Sequence, residues 1–272
     1  MPAGERRLVV VADDLGFTRD VNEGILEAHR RGIVRAASLM ATGAAFGHAV
    51  ELARRVPTLE VGAHLTLVGA VSALEGRPLP ASIPALLKAL ARGRLRIYEE
   101  FRAQLERILA AGIRPVHLDT HKHTHVIPPV LEAVLRLAAE YGIRWIRRPF
   151  DWRWPGEPHA PARERASAAL LRLLRRSFDR KLARSGLCTT DRFVGLRMTG
   201  RFSAGDLVAL IQALPEGSTE LMCHPGYCGA ELAGARTRLK ESRERELAAL
   251  TSPEVFRALD AGGVRLAGRR DL

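Results

Sequence analysis

The chain contains one unusually histidine-rich segment, Pro115-Val116-His117-Leu118-Asp119-Thr120-His121-Lys122-His123-Thr124-His125. Four of the nine histidines and one aspartate fall within these eleven residues. Apolar and polar residues alternate at its start, as in a strand, where residues two apart share a face. We expect Asp119 and His121 to point the same way, as should His123 and His125 if the extended run continues. Converging imidazoles and carboxylates favour a divalent metal site over an exposed polar loop.

The length of the chain is enough for one large domain or two small ones. Its 272 residues suit an α/β barrel that forms one domain, and its 47% hydrophobic content supports a large core. The sequence has no apolar run long enough to span a bilayer, and its N-terminus lacks the apolar region and cleavage site of a signal peptide. We therefore predict one domain over residues 1–272, no transmembrane segment and a cytoplasmic location.

The three cysteines of the sequence are Cys188, Cys223 and Cys228. Their odd number and the lack of a C-x-x-C pair argue against a disulfide framework and against a thiolate zinc site. The sequence therefore predicts that they are small buried hydrophobic residues.

The net charge of +12 is concentrated between Arg163 and Arg201, where eleven basic residues face three acidic ones. Such a stripe is typical of a surface that binds nucleic acid or another anionic partner. The leucines at 170, 171, 173 and 174 alternate with arginines, however, as on an amphipathic helix with a solvated basic face. No RNA-binding aromatic motif or zinc finger accompanies the charge, so we expect no nucleic-acid partner.

Strand and helix patterns alternate along the whole chain, about seven or eight times. The first strand, Leu8–Ala12, is a short apolar run of the kind that is buried on both faces, and a helix follows it at 20–31. Alternation of this kind predicts a mostly parallel sheet. No G-x-G-x-x-G follows the first strand, which disfavours a dinucleotide fold. A closed or distorted (β/α) TIM-like barrel fits the strand count better than an open sheet.

The unusual polar residues fall where predicted strands end. Asp13-Asp14 follows the first strand, His64 closes the third, and Asp119 and His121 close the fourth. His224 follows the strand at 219–223. Taken singly, each has an ordinary structural explanation, such as a helix cap, a core histidine or a turn. In a (β/α) barrel, however, these ends meet on one face, where active sites lie, so the joint placement favours a functional site.

Four motifs give the chain a resemblance to a known family. They are Ala12-Asp13-Asp14-Leu15-Gly16, Gly62-Ala63-His64-Leu65-Thr66-Leu67, the sequence from His117 to His125, and Cys223-His224-Pro225-Gly226. In order and spacing they resemble the YdjC-like carbohydrate deacetylases, which include enzymes acting on chitooligosaccharides and relatives linked to hopanoid biosynthesis. The resemblance covers residues 8 to about 266. Only Leu15 departs from it, at a position where many relatives have an aromatic residue.

The resemblance implies a distorted barrel that binds one divalent metal ion, Mg²⁺ or Zn²⁺. By position, the ligands would be Asp14, His64 and His121. Asp13 would be the general base and His224 the candidate general acid. The substrate would be an N-acetylated sugar or glycoconjugate, hydrolysed to release acetate, and relatives suggest a homodimer.

Several assignments near these motifs stay open in the sequence. The third motif holds more histidines than one metal needs, so His123 or His125 could instead bind substrate or orient the ligands. The family arginine before a proline could be Arg147 or Arg148. Two tryptophans, Trp152 and Trp154, could stack on a sugar or pack in the core.

Two other functions are compatible with the sequence. A metal-dependent phosphoesterase on a similar barrel would use a comparable cluster of histidines and aspartates, with two metal ions. A non-catalytic protein could bind anionic partners through the basic segment 163–201.

Overall fold

The longest strand, β1 (Arg6–Leu15), is buried along almost its whole length and pairs with three other strands. The computed structural model describes residues 4–272. The other strands are β2 (Ala36–Leu39), β3 (Glu60–Leu65), β4 (His117–Thr120), β5 (Trp145–Ile146), β6 (Arg192–Val194), β7 (Gly217–Cys223) and β8 (Val264–Leu266). Continuous apolar runs such as that of β1 are typical of strands covered on both faces by helices.

The connections between the strands are mostly helical. The α-helices are α1 (Arg19–Arg30), α2 (Phe46–Arg55), α3 (Ile83–Ala91), α4 (Ile97–Ala110), α5 (Pro128–Glu140), α6 (Ala162–Ser185), α7 (Ala204–Ala213), α8 (Ala230–Gly234), α9 (Glu241–Leu250) and α10 (Pro253–Gly262). Short 3-10 helices lie at His121–Val126 and Arg269–Asp271. Several helix starts follow from local chemistry, as in α7, where Ser203 and Asp206 form a reciprocal capping box.

All strand pairs are parallel, and the order in the sheet is β5-β4-β3-β2-β1-β7-β6. β7 pairs with β1 along one edge, while the other edge is shared by β8 at Arg6–Leu8 and by β2 further on. The two ends of the curled sheet, near β5 and β6, are connected by isolated bridges. These join Trp145 to Cys188 and Asp151 to Phe193. The predicted distorted (β/α) barrel of seven or eight parallel strands is confirmed.

The structure corrects several predicted boundaries. β1 does not end at Ala12 but continues through Leu15, and the helix predicted at 20–31 spans Arg19–Arg30. The extended run of the histidine-rich stretch ends at Thr120. Beyond it the chain turns sharply, because Lys122 and His123 adopt left-handed φ angles of 55° and 53°. His123 and His125 therefore do not lie on the face of the strand, where a continued extended run would have placed them.

Close packing between strands explains one glycine of the second motif. A Cβ atom on Gly62 of β3 would lie 2.1 Å from the ring of His117 on β4, so only glycine leaves room for this histidine in the barrel. Of the cysteines, Cys223 is buried as predicted, whereas Cys188 and Cys228 are partly exposed. Between residues 4 and 272, the helices are too short or too polar to cross a bilayer.

Candidate active site

The two neighbouring aspartates of the first motif lie on a bulge of β1. The register between β1 and β2 shifts between Ala12 and Leu15, and Asp14 has a φ of 71°, which non-glycine residues rarely adopt. A bulge changes the direction of the side chains on a strand. Asp13 and Asp14 consequently contact different partners at the carboxyl end of the barrel.

Three side chains from different strand ends form an Asp-His-His triangle, which consists of Asp14, His64 and His121. The Oδ1 atom of Asp14 lies 3.2 Å from Nδ1 of His121 and 3.6 Å from Nε2 of His64. The two imidazole nitrogens are 3.3 Å apart. Ligands bound at about 2.0–2.2 Å around one metal ion are separated by similar distances.

The atoms of the triangle also have the chemistry of a metal site. The Oδ1 atom of Asp14 is buried without a hydrogen-bond partner among the described residues. A buried oxygen of this kind requires an explanation, and a cation is one of the few groups that can satisfy it. One carboxylate and two imidazoles form a common donor set for a divalent ion, so the three residues fit the implied metal.

His64 is held in the orientation that a ligand needs. Its Nδ1 atom lies 2.7 Å from Oδ1 of Asp119, so Nδ1–H donates to this carboxylate and Nε2 is left facing the triangle. Burial acts to lower the pKa of His64, but Asp119 and Asp13 raise it to about 9. The surrounding carboxylates therefore favour a positive charge at the position of this ring.

The second oxygen of Asp14 binds an arginine from a distant helix. Nη2 of Arg243 on α9 lies 2.5 Å from Oδ2 of Asp14, and the arginine is 1% exposed. Burial acts to raise the pKa of Asp14, yet Arg243 and His121 keep it well below its ordinary value. Asp14 thus stays ionised, with one oxygen fixed by Arg243 and the other facing the triangle.

Asp13 belongs to a buried ion network, which consists of Asp13, Asp119, Arg147, Glu220 and Arg269. Both oxygens of Asp13 accept hydrogen bonds of 2.7 Å from Arg147. Arg147 also contacts Asp119 at 2.8 Å and Glu220 at 2.6 Å, and Glu220 binds Arg269 at 2.5 Å. Burial raises the pKa of Asp13 and Asp119 adds to this effect, while Arg147 opposes it. Asp13 therefore sits beside the triangle in a fixed orientation.

His224 follows β7 on the same side of the barrel. Its backbone N–H donates to Glu246 of α9 over 2.6 Å, and its Nδ1 atom is buried without a hydrogen-bond partner in the described part of the chain. The turn after it packs against α1 so closely that a Cβ on Gly24 would lie 2.3 Å from the Cα of Gly226. Burial lowers the pKa of His224 to about 3, so its imidazole is neutral and has an unused ring nitrogen.

The strand ends thus bring together the five residues that the sequence assigned to metal binding and catalysis. A model of the YdjC-like proteins matches residues 7–261 of the chain. The chain belongs to the YdjC-like family. The resemblance inferred from its four motifs is confirmed.

Named relatives of this YdjC-like chain share its whole length. It is 34% identical to a carbohydrate deacetylase of Geobacillus stearothermophilus, with 98% of each chain covered. It is 33% identical to a chitooligosaccharide deacetylase of Klebsiella pneumoniae, over 98% of this chain and all of the relative. A crystal structure from Enterococcus faecalis, described as that of a proposed cellobiose-phosphate cleavage protein, superposes with a TM-score of 0.73 at 26% identity, covering 97% and 98% of the two chains.

The remaining residues considered at this site take different positions in the YdjC-like barrel. Arg147 is fully buried in the ion network, whereas Arg148 forms a two-pronged pair with Asp179 of α6, so Arg147 is the arginine that contacts the site. Both ring nitrogens of His125 have partners within the protein, the hydroxyl of Thr120 and the carbonyl of Arg147. This arrangement makes His125 a support for the backbone at Arg147.

Two further members of the histidine-rich stretch lie away from the triangle. His123 is buried with its ring against Phe193, at a centroid distance of 5.9 Å. His117 lies within the barrel, where its ring nitrogens are 3.0 Å from Ser38 and 3.0 Å from Arg269. The stretch therefore supplies one corner of the triangle, His121, together with supporting residues.

Several residues that shape the site were not identified from the sequence. Glu220 is a charged residue within a buried strand, and that placement was a usable signal. Arg243 and Arg269 lie in charge-rich segments where nothing distinguishes them from surface arginines. Of the two tryptophans, Trp154 is buried in the core, whereas Trp152 is partly exposed.

Proposed function

We propose that this protein is a metal-dependent deacetylase that hydrolyses an N-acetylated sugar or glycoconjugate and releases acetate. The observation that carries the proposal is the unpartnered Oδ1 of Asp14, 3.2 Å and 3.6 Å from the imidazole nitrogens of His121 and His64. The names of the full-length relatives, carbohydrate deacetylase and chitooligosaccharide deacetylase, supply the substrate class.

Asp14, His64 and His121 would hold one divalent ion. When bound, such an ion polarises an acyl carbonyl and lowers the pKa of water. Two imidazole ligands suit Zn²⁺ better than Mg²⁺, which prefers oxygen ligands, so we favour zinc. Three protein ligands leave coordination positions free for water and substrate.

Asp13 is the proposed general base. It lies next to Asp14 in the chain, and Arg147 fixes both of its oxygens in one plane. Burial raises the pKa of Asp13, which strengthens it as a proton acceptor relative to an exposed aspartate. Arg147 therefore orients the carboxylate that would remove the proton of the attacking water.

His224 is the proposed proton donor to the departing amine. Its buried Nδ1 has no partner among the described residues, so one ring nitrogen is free for a reacting group. The ring is neutral at rest because burial lowers its pKa to about 3. Negative charge that develops on the acyl group raises the proton affinity of a neighbouring imidazole, so His224 can take up the proton that Asp13 removes from the attacking water and pass it to the departing nitrogen.

The two-metal phosphoesterase is disfavoured by the second cluster of possible ligands, Asp13, His64 and Asp119. Both oxygens of Asp13 bind Arg147, and the oxygens of Asp119 bind His64, Ser38 and Arg147. These atoms already have strong internal partners. One metal ion per chain is therefore the expected stoichiometry, while the homodimer and the cytoplasmic location remain predictions.

The proposal is tested by measuring acetate release from N-acetylated chitooligosaccharides. The chelated protein should be inactive and should regain activity with one equivalent of Zn²⁺, whereas Asp13→Asn should bind the metal and release no acetate. His48→Ala, a partly exposed histidine outside the site, is the matched control and should behave like the wild type. A metal-loaded protein that releases no acetate from a broad panel of N-acetylated sugars would contradict the assignment.

A further inference from the structure

The long helix α6 exposes apolar side chains that an ordinary surface helix would cover. Only Ala168, Phe178 and Leu182 of its 24 residues are buried. The leucine-arginine pattern predicted an apolar face toward the core, and Leu171 and Leu174 do pack there. Leu170 and Leu173, in contrast, are 64% and 77% exposed.

The exposed apolar residues of α6 form a continuous stripe, the outward face, which consists of Ala162, Ala166, Ala169, Leu170 and Leu173. These positions follow helical spacing along one side, because each residue advances about 100° around the axis. All five are exposed, and the stripe lies opposite the buried Phe178 and Leu182. Large exposed leucines that cluster in this way are typical of interaction surfaces.

Unpaired arginines surround the outward face. They are exposed, and no acid lies within ion-pair distance of them in residues 4–272; they are Arg163, Arg165, Arg172, Arg176 and Arg184. On other helices some exposed arginines pair with glutamates four residues away, as Arg102 does with Glu106, whereas α6 carries five unpaired arginines around one face. The surface of α6 therefore presents uncompensated positive charge together with apolar side chains.

The N-terminal part of α6 lies close to the candidate active site. Glu164 is 3.5 Å from Arg238, in the segment that leads into α9. The same helix also contacts the histidine-rich stretch, because the ring centroid of Phe178 on α6 lies 5.9 Å from that of His125. A partner bound to the outward face would consequently be near the opening of the barrel.

We propose that the outward face of α6 docks on an anionic lipid surface. On such a surface the exposed leucines would enter the headgroup region, and the unpaired arginines would contact lipid phosphates. A second copy of this chain would bring two positive faces together, which like-charge repulsion opposes. Nucleic acid would engage the arginines and leave Leu170 and Leu173 in water.

Vesicle sedimentation of the full-length protein tests the proposal. The wild type should bind vesicles with about a third phosphatidylglycerol, bind pure phosphatidylcholine at least about tenfold more weakly, and lose binding at high salt. Leu170→Glu/Leu173→Glu and Arg172→Glu/Arg176→Glu should each weaken binding about tenfold or more. Both variants should keep the wild-type melting temperature and rate on a soluble substrate, because these side chains lie outside the active site.

Leu87→Glu is the matched control, since Leu87 is a 48% exposed leucine on a different helix, α3. It should bind the anionic vesicles like the wild type. The proposal is overturned if the wild type does not bind anionic vesicles, or if the Leu170→Glu/Leu173→Glu variant binds them as strongly as the wild type. It is equally overturned if the wild type is a dimer in analytical ultracentrifugation and the leucine substitutions abolish that dimer. The same holds if Arg172→Glu/Arg176→Glu weakens binding to duplex DNA but not binding to vesicles.

Discussion

The Asp-His-His triangle and the buried ion network lie at the same barrel end and both contain buried aspartates, and His64 connects them. One ring nitrogen of His64 faces the triangle, and the other binds Asp119 of the network. In the network, Arg147 donates to three carboxylates that surround it. In the triangle, Oδ1 of Asp14 has no hydrogen-bond partner among residues 4–272.

This difference separates a structural cluster from a cluster that can bind a ligand. Carboxylates with internal partners hold one another in place, and removing one partner leaves an uncompensated buried charge. A group of ligand atoms without internal partners can accept a cation from solution. The presence of buried aspartates in both clusters does not by itself make this distinction.

The largest expected effect is the loss of activity in His64→Ala, which disrupts both clusters. Deacetylation should fall by at least about a thousandfold, or about 4 kcal/mol in the barrier, and bound metal should be lost. Turnover assays and metal analysis by mass spectrometry measure the two effects. His29→Ala, which removes a buried histidine far from the site along α1, should keep both metal and activity. Full metal occupancy in His64→Ala would show that the triangle does not bind the ion.

Arg147→Met should destabilise the folded protein, because Arg147 holds the carboxylates of the ion network together. It leaves Asp13, Asp119 and Glu220 without their shared cation, so the free energy of unfolding should fall by about 3–5 kcal/mol. His121→Ala in the triangle should change stability by less than about 1 kcal/mol, because this side chain is partly exposed. Urea denaturation of both metal-free variants tests the contrast. Equal losses would mean that the two clusters do not differ in this way.

Arg243→Met should weaken metal binding without unfolding the protein. The guanidinium fixes the second oxygen of Asp14, and such supporting contacts contribute about 10–100-fold to metal affinity. Arg243→Lys keeps the charge and should recover part of the affinity. Competition with a chromophoric chelator measures both dissociation constants. Unchanged affinity in Arg243→Met would remove Arg243 from the metal site.

The smallest expected effect concerns Glu246, a buried carboxyl that contacts His224 from α9. Burial raises the pKa of Glu246 to about 7, so the folded state retains a proton that the unfolded state loses near its ordinary value of 4.5. Stability contributed by this group should be present at low pH and decline as pH rises through about 7, by at most about 1.4 kcal/mol per pH unit.

Glu246→Gln should remove this decline, which chemical denaturation between pH 5 and 7 measures as about 1 kcal/mol per pH unit. Asp206→Asn, which replaces a partly exposed carboxyl at the start of α7, is the comparison variant and should retain the wild-type pH dependence. Identical slopes in the wild type and Glu246→Gln would show that the carboxyl is ionised throughout this range.

Much of the candidate site was predictable because the carboxyl ends of the parallel strands of a barrel lie close together. His64, His121 and His224 each follow or close an apolar run, and a parallel barrel brings such ends together whatever their separation in sequence. Motifs of the YdjC-like family then assigned the roles. Whether the extended run of the histidine-rich stretch continues was left open by the sequence. It ends at Thr120, because the turn at Lys122 and His123 requires left-handed backbone angles that side-chain alternation cannot indicate.

Periodicity and motifs are local features of the chain, and they were enough to predict the parallel barrel, the family and the five candidate site residues. Which ligand atoms are free and which are already bonded became visible only in the folded protein. Arg147 reaches Asp13 across 134 positions, and Arg243 reaches Asp14 across 229. Contacts between residues so far apart in the sequence depend on the β1 bulge and on how helices pack around the barrel. A local sequence pattern therefore cannot predict them.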